Sequence, residues 1–180
     1  MKYVIISDIH GNLEAFTAVS EDLSKMRDKE IFCAGDIVGY GADPEECARM
    51  ARRLGAVCVM GNHDAAAVEM TDITCFNEYA KAAVLWTRDV LSDSAKDQLR
   101  ALPYTTGNEH FTVVHGTLHE PEEFIYMMTG ADAMHTFEVL KRQVCFVGHS
   151  MCQASSWQGA TSCPTPRRRR STWKKAQGIS

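Results

Sequence analysis

Five apolar stretches of this chain each run directly into a metal-type ligand with a glycine close by, and that recurrence narrows the folds open to it. They are Val4-Ile5-Ile6 before Asp8 and His10, Ile31-Phe32 before Gly35-Asp36, and Val57-Cys58-Val59 before Gly61-Asn62-His63-Asp64. Phe111-Thr112-Val113-Val114 before His115-Gly116 and Val144-Cys145-Phe146-Val147 before Gly148-His149 complete the set. In an α/β sheet the side chains just past the carboxyl ends of the strands converge on one crevice. Carboxylate, imidazole and amide oxygen are donors that divalent metals accept. One such ending is weak evidence; five in series point to a metal centre.

Between these stretches the sequence alternates strand and helix signals, which argues for a mainly parallel sheet with helical cover. Strands are expected over Lys2–Ser7, Glu30–Ala34, Ala56–Met60, Phe111–Val114 and Gln143–Val147. Asn12 is placed to cap a helix with Leu13, Phe16, Val19, Leu23 and Met26 on one face. Pro44 sits near the start of a second helix. The longest helix is expected over Phe76–Leu91, with Phe76, Tyr79, Ala83, Trp86, Val90 and Leu91 facing the core, and another over Ala131–Leu140. Met127-Met128 reads as core filling.

Composition bounds the rest. At 180 residues the chain fits one domain. No segment is long and apolar enough to span a bilayer, and the start reads as a strand, not a leader, so a soluble cytoplasmic protein is expected. Seven cysteines without a Cys-x-x-Cys pair, several at apolar strand positions, read as reduced thiols. The net charge of −4 conceals a break: residues 1–150 hold all 23 acidic and 13 of the 19 basic residues, a balance of −10. Residues 151–180 hold six bases and no acid, with Trp157, Trp173 and the run Arg167 to Arg170. The expected division is therefore a core over 1–150 and a basic, disordered or out-of-frame tail over 151–180. The arginine run and tryptophans resemble a nucleic-acid patch, but a solvated tail is the simpler reading, and no nucleic-acid or membrane partner is expected.

Taken singly the motifs are ambiguous. Asp8-Ile9-His10 fits a turn aspartate with a solvated histidine, Gly35-Asp36 fits a glycine turn, and His115 and His149 fit buried hydrogen-bonded histidines. Gly61-Asn62-His63-Asp64 is more specific, because turn chemistry has no use for an inserted imidazole. His110, His119 and His135 read as surface histidines, the alternative being that any of them is recruited as a substitute ligand, His119 lying near His115 in sequence.

The ordered series Asp8-x-His10, Gly35-Asp36-x-x-Gly39, Gly61-Asn62-His63-Asp64, Val114-His115-Gly116 and Gly148-His149-Ser150 resembles the calcineurin-like metallophosphoesterase superfamily, in particular its small bacterial and archaeal members. The resemblance covers about residues 1–150. It implies an α/β fold, a four-layer αββα sandwich, with two metal ions at the strand ends. Carried over residue by residue, Asp8 and His10 hold the first metal, Asp36 bridges both, and Asn62, His115 and His149 complete the second. His63 is implied as general acid or transition-state stabiliser, with Asp64 as its orienting partner. Manganese, iron, zinc and nickel all accept this donor set. Two such ions roughly 3.5–4 Å apart can share a hydroxide and hold a phosphoryl group between them, and imidazole is poised near neutral pH to assist the departing oxygen.

Two departures refine this. Protein serine/threonine phosphatases of the superfamily carry aspartate and arginine after the Gly-Asp element, whereas Val38-Gly39-Tyr40-Gly41 stands here. A phosphodiester or small phosphomonoester substrate is expected instead. The family's last motif, Gly-His-x-His, supplies a further histidine to the first metal; here Met151 occupies that place, and a thioether is a poor ligand for a hard ion. Restoring one C before codon 151 would read His-Val in place of Met151-Cys152, giving Gly-His-Ser-His-Val. Residues 151–180 are accordingly read as an out-of-frame tail replacing an ending that supplies much of the second sheet, so that sheet is expected to be incomplete; a natural basic extension is the competing reading. The expected activity is metal-dependent phosphoester hydrolysis by a metal-bridging hydroxide, impaired at the first metal. The alternative is a non-catalytic scaffold on the same fold, as in a retromer subunit of that superfamily. Oligomeric state is open.

Overall fold

A computed structural model of the protein describes residues 1–150, so Met151 and the rest of the expected tail lie outside the described residues. Elements follow in the order β1 (Lys2–Ile6), α1 (Leu13–Ser24), β2 (Lys29–Cys33), α2 (Pro44–Arg53), β3 (Val57–Cys58), α3 (Asn62–Ala67), α4 (Glu78–Val90), α5 (Asp93–Arg100), β4 (Thr105–Gly107), β5 (Phe111–Val114), α6 (Gly130–Val139) and β6 (Val144–Val147), with a single 3-10 turn at Pro121–Glu123. β1, β2 and β3 form a parallel sheet in that order. In the second sheet β5 lies between β4, antiparallel to it, and β6, parallel to it.

Side chains on a strand point alternately to its two faces, and β2 shows the consequence. Phe32 faces the second sheet, in a cluster with Ala34, Val59, Phe111 and Val113 that Ile5 and Phe146 extend. Cys33 faces the helices, among Phe16, Ile37, Cys47, Ala51, Ala95 and Leu99. Phe111 meets Phe32 edge-on at 5.0 Å and Phe146 at 5.3 Å, a favoured aromatic geometry, so one ring ties β2, β5 and β6 together. The β5–α6–β6 crossover gives the second sheet a helix of its own. The αββα plan is thus present, with a second sheet of three strands among the described residues. No helix among those residues is long and apolar enough to cross a membrane.

Asn12 caps α1 by accepting from the Ala15 N–H at 3.0 Å, and Pro44 occupies the first turn of α2, as the sequence predicts. Other expectations are corrected. In α4 the buried positions are Ala80, Val84 and Thr87, followed by Leu91, whereas Tyr79 is 85% exposed and Trp86 and Val90 are also exposed. The inward stripe sits one position round from the expected one, because small residues fill a tight helix contact and the large aromatics are left outside. Val19 of α1 is exposed as well, Met26 falls beyond that helix's end and is exposed too, and Met128 is solvent-facing, not core filling. β3 pairs over only two residues. Between Leu91 and Phe111, where periodicity predicts nothing, Ser92 caps α5 through its hydroxyl and the short β4 pairs with β5. The described cysteines, Cys33, Cys47, Cys58, Cys75 and Cys145, are all free thiols, as expected.

Candidate metal centre

Each of the five apolar stretches ends at the same rim, and the loops that follow are sewn to one another. Asp8 N–H donates to Gly35 carbonyl, His10 N–H to Asp36 carbonyl at 2.9 Å, and Gly41 N–H to His10 carbonyl at 2.8 Å. Gly148 N–H donates to His115 carbonyl at 2.9 Å. The two sheets meet where His149 N–H reaches both Asp8 carboxylate oxygens at 3.3 Å. Four expected ligands, Asp8, His10, Asp36 and His149, have positive φ between 51° and 60°. Left-handed backbone costs a non-glycine residue about 1–2 kcal/mol and gathers at functional sites. Two glycines make the approach of the loops possible. A Cβ on Gly61 would collide with the backbone nitrogen and Oδ1 of Asp36, and one on Gly148 would collide with the Ser7 hydroxyl and lie 2.8 Å from Asp8 Oδ2.

The donor atoms form two clusters with a shared member. His10, Asp36 and His63 offer ligand atoms within 4.8 Å of one another, and so do Asp36, His115 and His149. Asp36 Oδ1 accepts from His63 N–H at 2.9 Å. Its Oδ2 faces both clusters, 3.7 Å from His10 Nε2 and 3.3 Å from His115 Nε2. Asp8 Oδ1 lies 3.9 Å from His10 Nε2, and Asn62 Oδ1 3.0 Å from His115 Nε2. Donors each about 2.1 Å from one ion are at most ~4.2 Å apart, so the four pairwise separations from 3.0 to 3.9 Å are compatible with a common cation.

The ring tautomers are set for ligation. His115 Nδ1 donates to Ala34 carbonyl at 2.6 Å and His10 Nδ1 to Val38 carbonyl at 3.3 Å, which leaves each Nε2 pointing at the carboxylates. Around His115 Nε2, two oxygen acceptors then face a nitrogen lone pair, and such a convergence requires positive charge. Without metal a proton supplies it: burial alone would lower His115, but the Asp36 charge and hydrogen bond and the Ala34 carbonyl raise it to about 9. Burial would likewise raise Asp36, yet His115, His63 and His10 together hold it at about 2. His149 is driven the other way, to about 4, by burial and then by the His115 charge. It is therefore neutral, and its Nε2 is buried without a hydrogen-bond partner. A buried lone pair beside a carboxylate and a second imidazole fits a metal ligand.

Of the eight expected site residues, Asp8, His10, Asp36, Asn62, His63, His115 and His149 are brought together. Asp64 is placed differently. Its Oδ1 accepts from Ile37 and Val38 N–H at 2.9 and 3.0 Å and its Oδ2 from Gly61 N–H at 3.1 Å. It does not orient the His63 ring, whose Nδ1 is buried and unpartnered; it lashes the Asp36 loop to the start of α3. His119 and His135 pair with each other at 5.9 Å, and the exposed His110 sits against Tyr3; none joins a described donor cluster. Two residues at the site go beyond the sequence expectation. Tyr40 packs on His10 and His63, and Tyr126 stacks on His149. Tyr40 stands inside the Gly-Asp motif, but nothing in the sequence marks Tyr126, which tertiary folding alone brings to the rim.

An α/β sandwich carrying two clusters of candidate metal donors that share one carboxylate at its strand ends is the class of protein these features define. Comparison with known proteins gives the family: the model for calcineurin-like phosphoesterases matches residues 1–153, and the chain belongs to that family. A crystal structure of a metallophosphoesterase from Sphaerobacter thermophilus is 36% identical with a TM-score of 0.71, covering 83% of this chain and 60% of that one. An uncharacterized protein of Methanocaldococcus jannaschii is 46% identical over 99 residues, 55% of this chain and 41% of its own length. A hypothetical protein from Pyrococcus horikoshii OT3 shares the fold at 20% identity and a TM-score of 0.67, covering 83% of this chain and 70% of its own. The chain thus matches less than two thirds of the length of the first two relatives.

Proposed function

We propose that the protein hydrolyses a phosphodiester or small phosphomonoester with a pair of divalent metal ions, manganese being the first to test. The observation that carries this is Asp36 Oδ2, which faces His10 on one side and the His115–Asn62 pair on the other. In this reading Asp8, His10 and Asp36 hold the first ion, and Asp36, Asn62, His115 and His149 the second. The ion pair would supply Lewis-acid charge stabilisation and an activated water at neutral pH. Asp36 balances part of the positive charge, while Asn62 contributes an oxygen without further negative charge that would repel the substrate.

His63 acts as a donor from a neutral ring. Burial lowers it, with Asp36 opposing and His10 and His115 adding to the lowering, and two nearby cations would lower it further. A neutral imidazole at the mouth donates an N–H to the phosphoryl or departing oxygen, a transition-state stabiliser in preference to an imidazolium acid. With methionine at 151 the first ion lacks the histidine found in the family's last motif. Losing an outer-shell partner already costs about 10–100-fold in affinity or activity, so the first position is the weaker of the two. Soluble, cytoplasmic action on a small phosphoester, without a membrane or nucleic-acid partner, goes with this reading.

Metal content and turnover of a nitrophenyl phosphodiester test it. The expected result is close to one tightly held ion per chain, slow turnover with added manganese, and a gain in both on Met151→His. Binding of metal with no turnover in either chain would favour the scaffold reading. Metal content unaffected by Asp36→Ala and His115→Ala would overturn the ligand assignment.

A further inference from the structure

We propose that Tyr40 and Tyr126 form an aromatic clamp at the mouth of the metal centre, which grips a planar ring, a nucleobase or an aryl group, on the alcohol side of the substrate. This rests on the phosphoester reading above and names the chemistry of the substrate that reading leaves open. Tyr40 lies 5.0 Å from the His10 ring and 4.6 Å from the His63 ring, yet is 49% exposed. Tyr126 lies flat on His149, with centroids 3.7 Å apart and planes 26° apart, and is 54% exposed. Tyr126 therefore rests one face on an imidazole of the site, Tyr40 meets two of them at 78° and 43°, and both rings turn surface outward.

Neither ring is there for the core. Tyr40 has φ 60°, and the loop that carries Tyr126 turns through Glu120 and Phe124, each at φ 50°. Strain of this kind persists only where surrounding structure holds it and clusters at ligand clamps. Here the hold is specific. Gly41 N–H bonds to His10 carbonyl beside Tyr40. Ile125 carbonyl accepts from Thr117 N–H, and Met127 N–H donates to the Ser150 hydroxyl, on either side of Tyr126. The histidines the two rings touch belong to donor clusters that share Asp36, which puts both phenols beside one centre. An exposed aromatic ring fixed in place beside a phosphoryl site loses little freedom on binding and offers a π face to any base or aryl ring. A substrate with an aliphatic alcohol would leave both rings unused.

The test uses the full chain loaded with manganese and isothermal titration with adenosine 5′-monophosphate, 4-nitrophenyl phosphate, ribose 5-phosphate and inorganic phosphate. Loss of base stacking typically costs about tenfold or more in affinity. The clamp predicts at least that preference for the two ring-bearing ligands over ribose 5-phosphate. Tyr40→Leu with Tyr126→Leu should erase the preference while leaving inorganic phosphate affinity and metal content unchanged. A preference confined to adenosine 5′-monophosphate upholds the clamp and assigns it to nucleobases. Equal binding of adenosine 5′-monophosphate and ribose 5-phosphate, with inorganic phosphate still bound, would remove the clamp and leave the phosphoester reading standing. Metal-loaded protein that binds none of the phosphates would sink both.

Discussion

Under the proposed ligand assignment, His115 is the residue at which metal and proton compete for one lone pair. In metal-free protein its raised value of about 9, above an unfolded value near 6.5, means that its contribution to stability is whole below pH ~6.5 and is lost as pH climbs through about 9. The separation corresponds to on the order of 3 kcal/mol. Urea denaturation with chelator should show that alkaline decline, and loading with metal should flatten it, because the ion takes the place of the proton on Nε2. On the acid side Asp36, held at about 2, keeps its contribution above its ordinary range and loses it only as pH falls through about 2. Asp64 belongs to the same scale. Asp64→Asn replaces one acceptor oxygen with a donor facing backbone N–H groups, and a buried donor left unmet costs about 1–3 kcal/mol. A loss of that size in urea denaturation, with weaker metal binding through the displaced Asp36 loop, is the expected outcome; an unchanged midpoint would remove Asp64 from the loop's support.

At the scale of elements, α4 shows which physical signal the sequence lacks. Its aromatic residues recur at helical spacing, and so do its small ones; only the neighbour decides which stripe turns inward. Ala80, Val84 and Thr87 do so, where a close helix contact excludes bulk. Val84→Ala should therefore cost about 2 kcal/mol, whereas Tyr79→Ala should stay within roughly 0.5 kcal/mol of the parent. Chemical denaturation separates the two, and the reverse order would mean that the stripe has been misplaced. β3 and β4 fall at the same scale, since strands of two and three residues carry too few positions for a period-2 pattern to register.

For the whole molecule, the candidate metal centre depends on two sheets staying face to face. Asp8, His10, Asp36 and Asn62 come from the first sheet's strand ends and His115 and His149 from the second's, and Phe111 packs between them. Phe111→Ala should cost about 3–5 kcal/mol and, more tellingly, weaken metal binding although Phe111 touches no donor. Isothermal titration of metal into folded variant protein checks this; parent-like affinity would show that the loops hold the centre without the sheets. The reading of residues 151–180 as out of frame is also a whole-chain matter, and resequencing the gene through codon 150 tests it directly. An uninterrupted frame there would leave Met151 as a native departure from the family's last motif.

The linear chain alone determined the strand–ligand series, the family resemblance and seven residues that gather at the site, out of eight expected there, because ligand chemistry and apolar runs are local properties of sequence. It had no means of specifying that Asp36 presents a single oxygen to both donor clusters, that Asp64 binds backbone in place of His63, or that Tyr40 and Tyr126 close over opposite histidines. Those facts depend on left-handed loop backbone and on two sheets meeting across a shared core. Such relations join residues as far apart as Asp8 and His149, and they come into being only when the chain has folded.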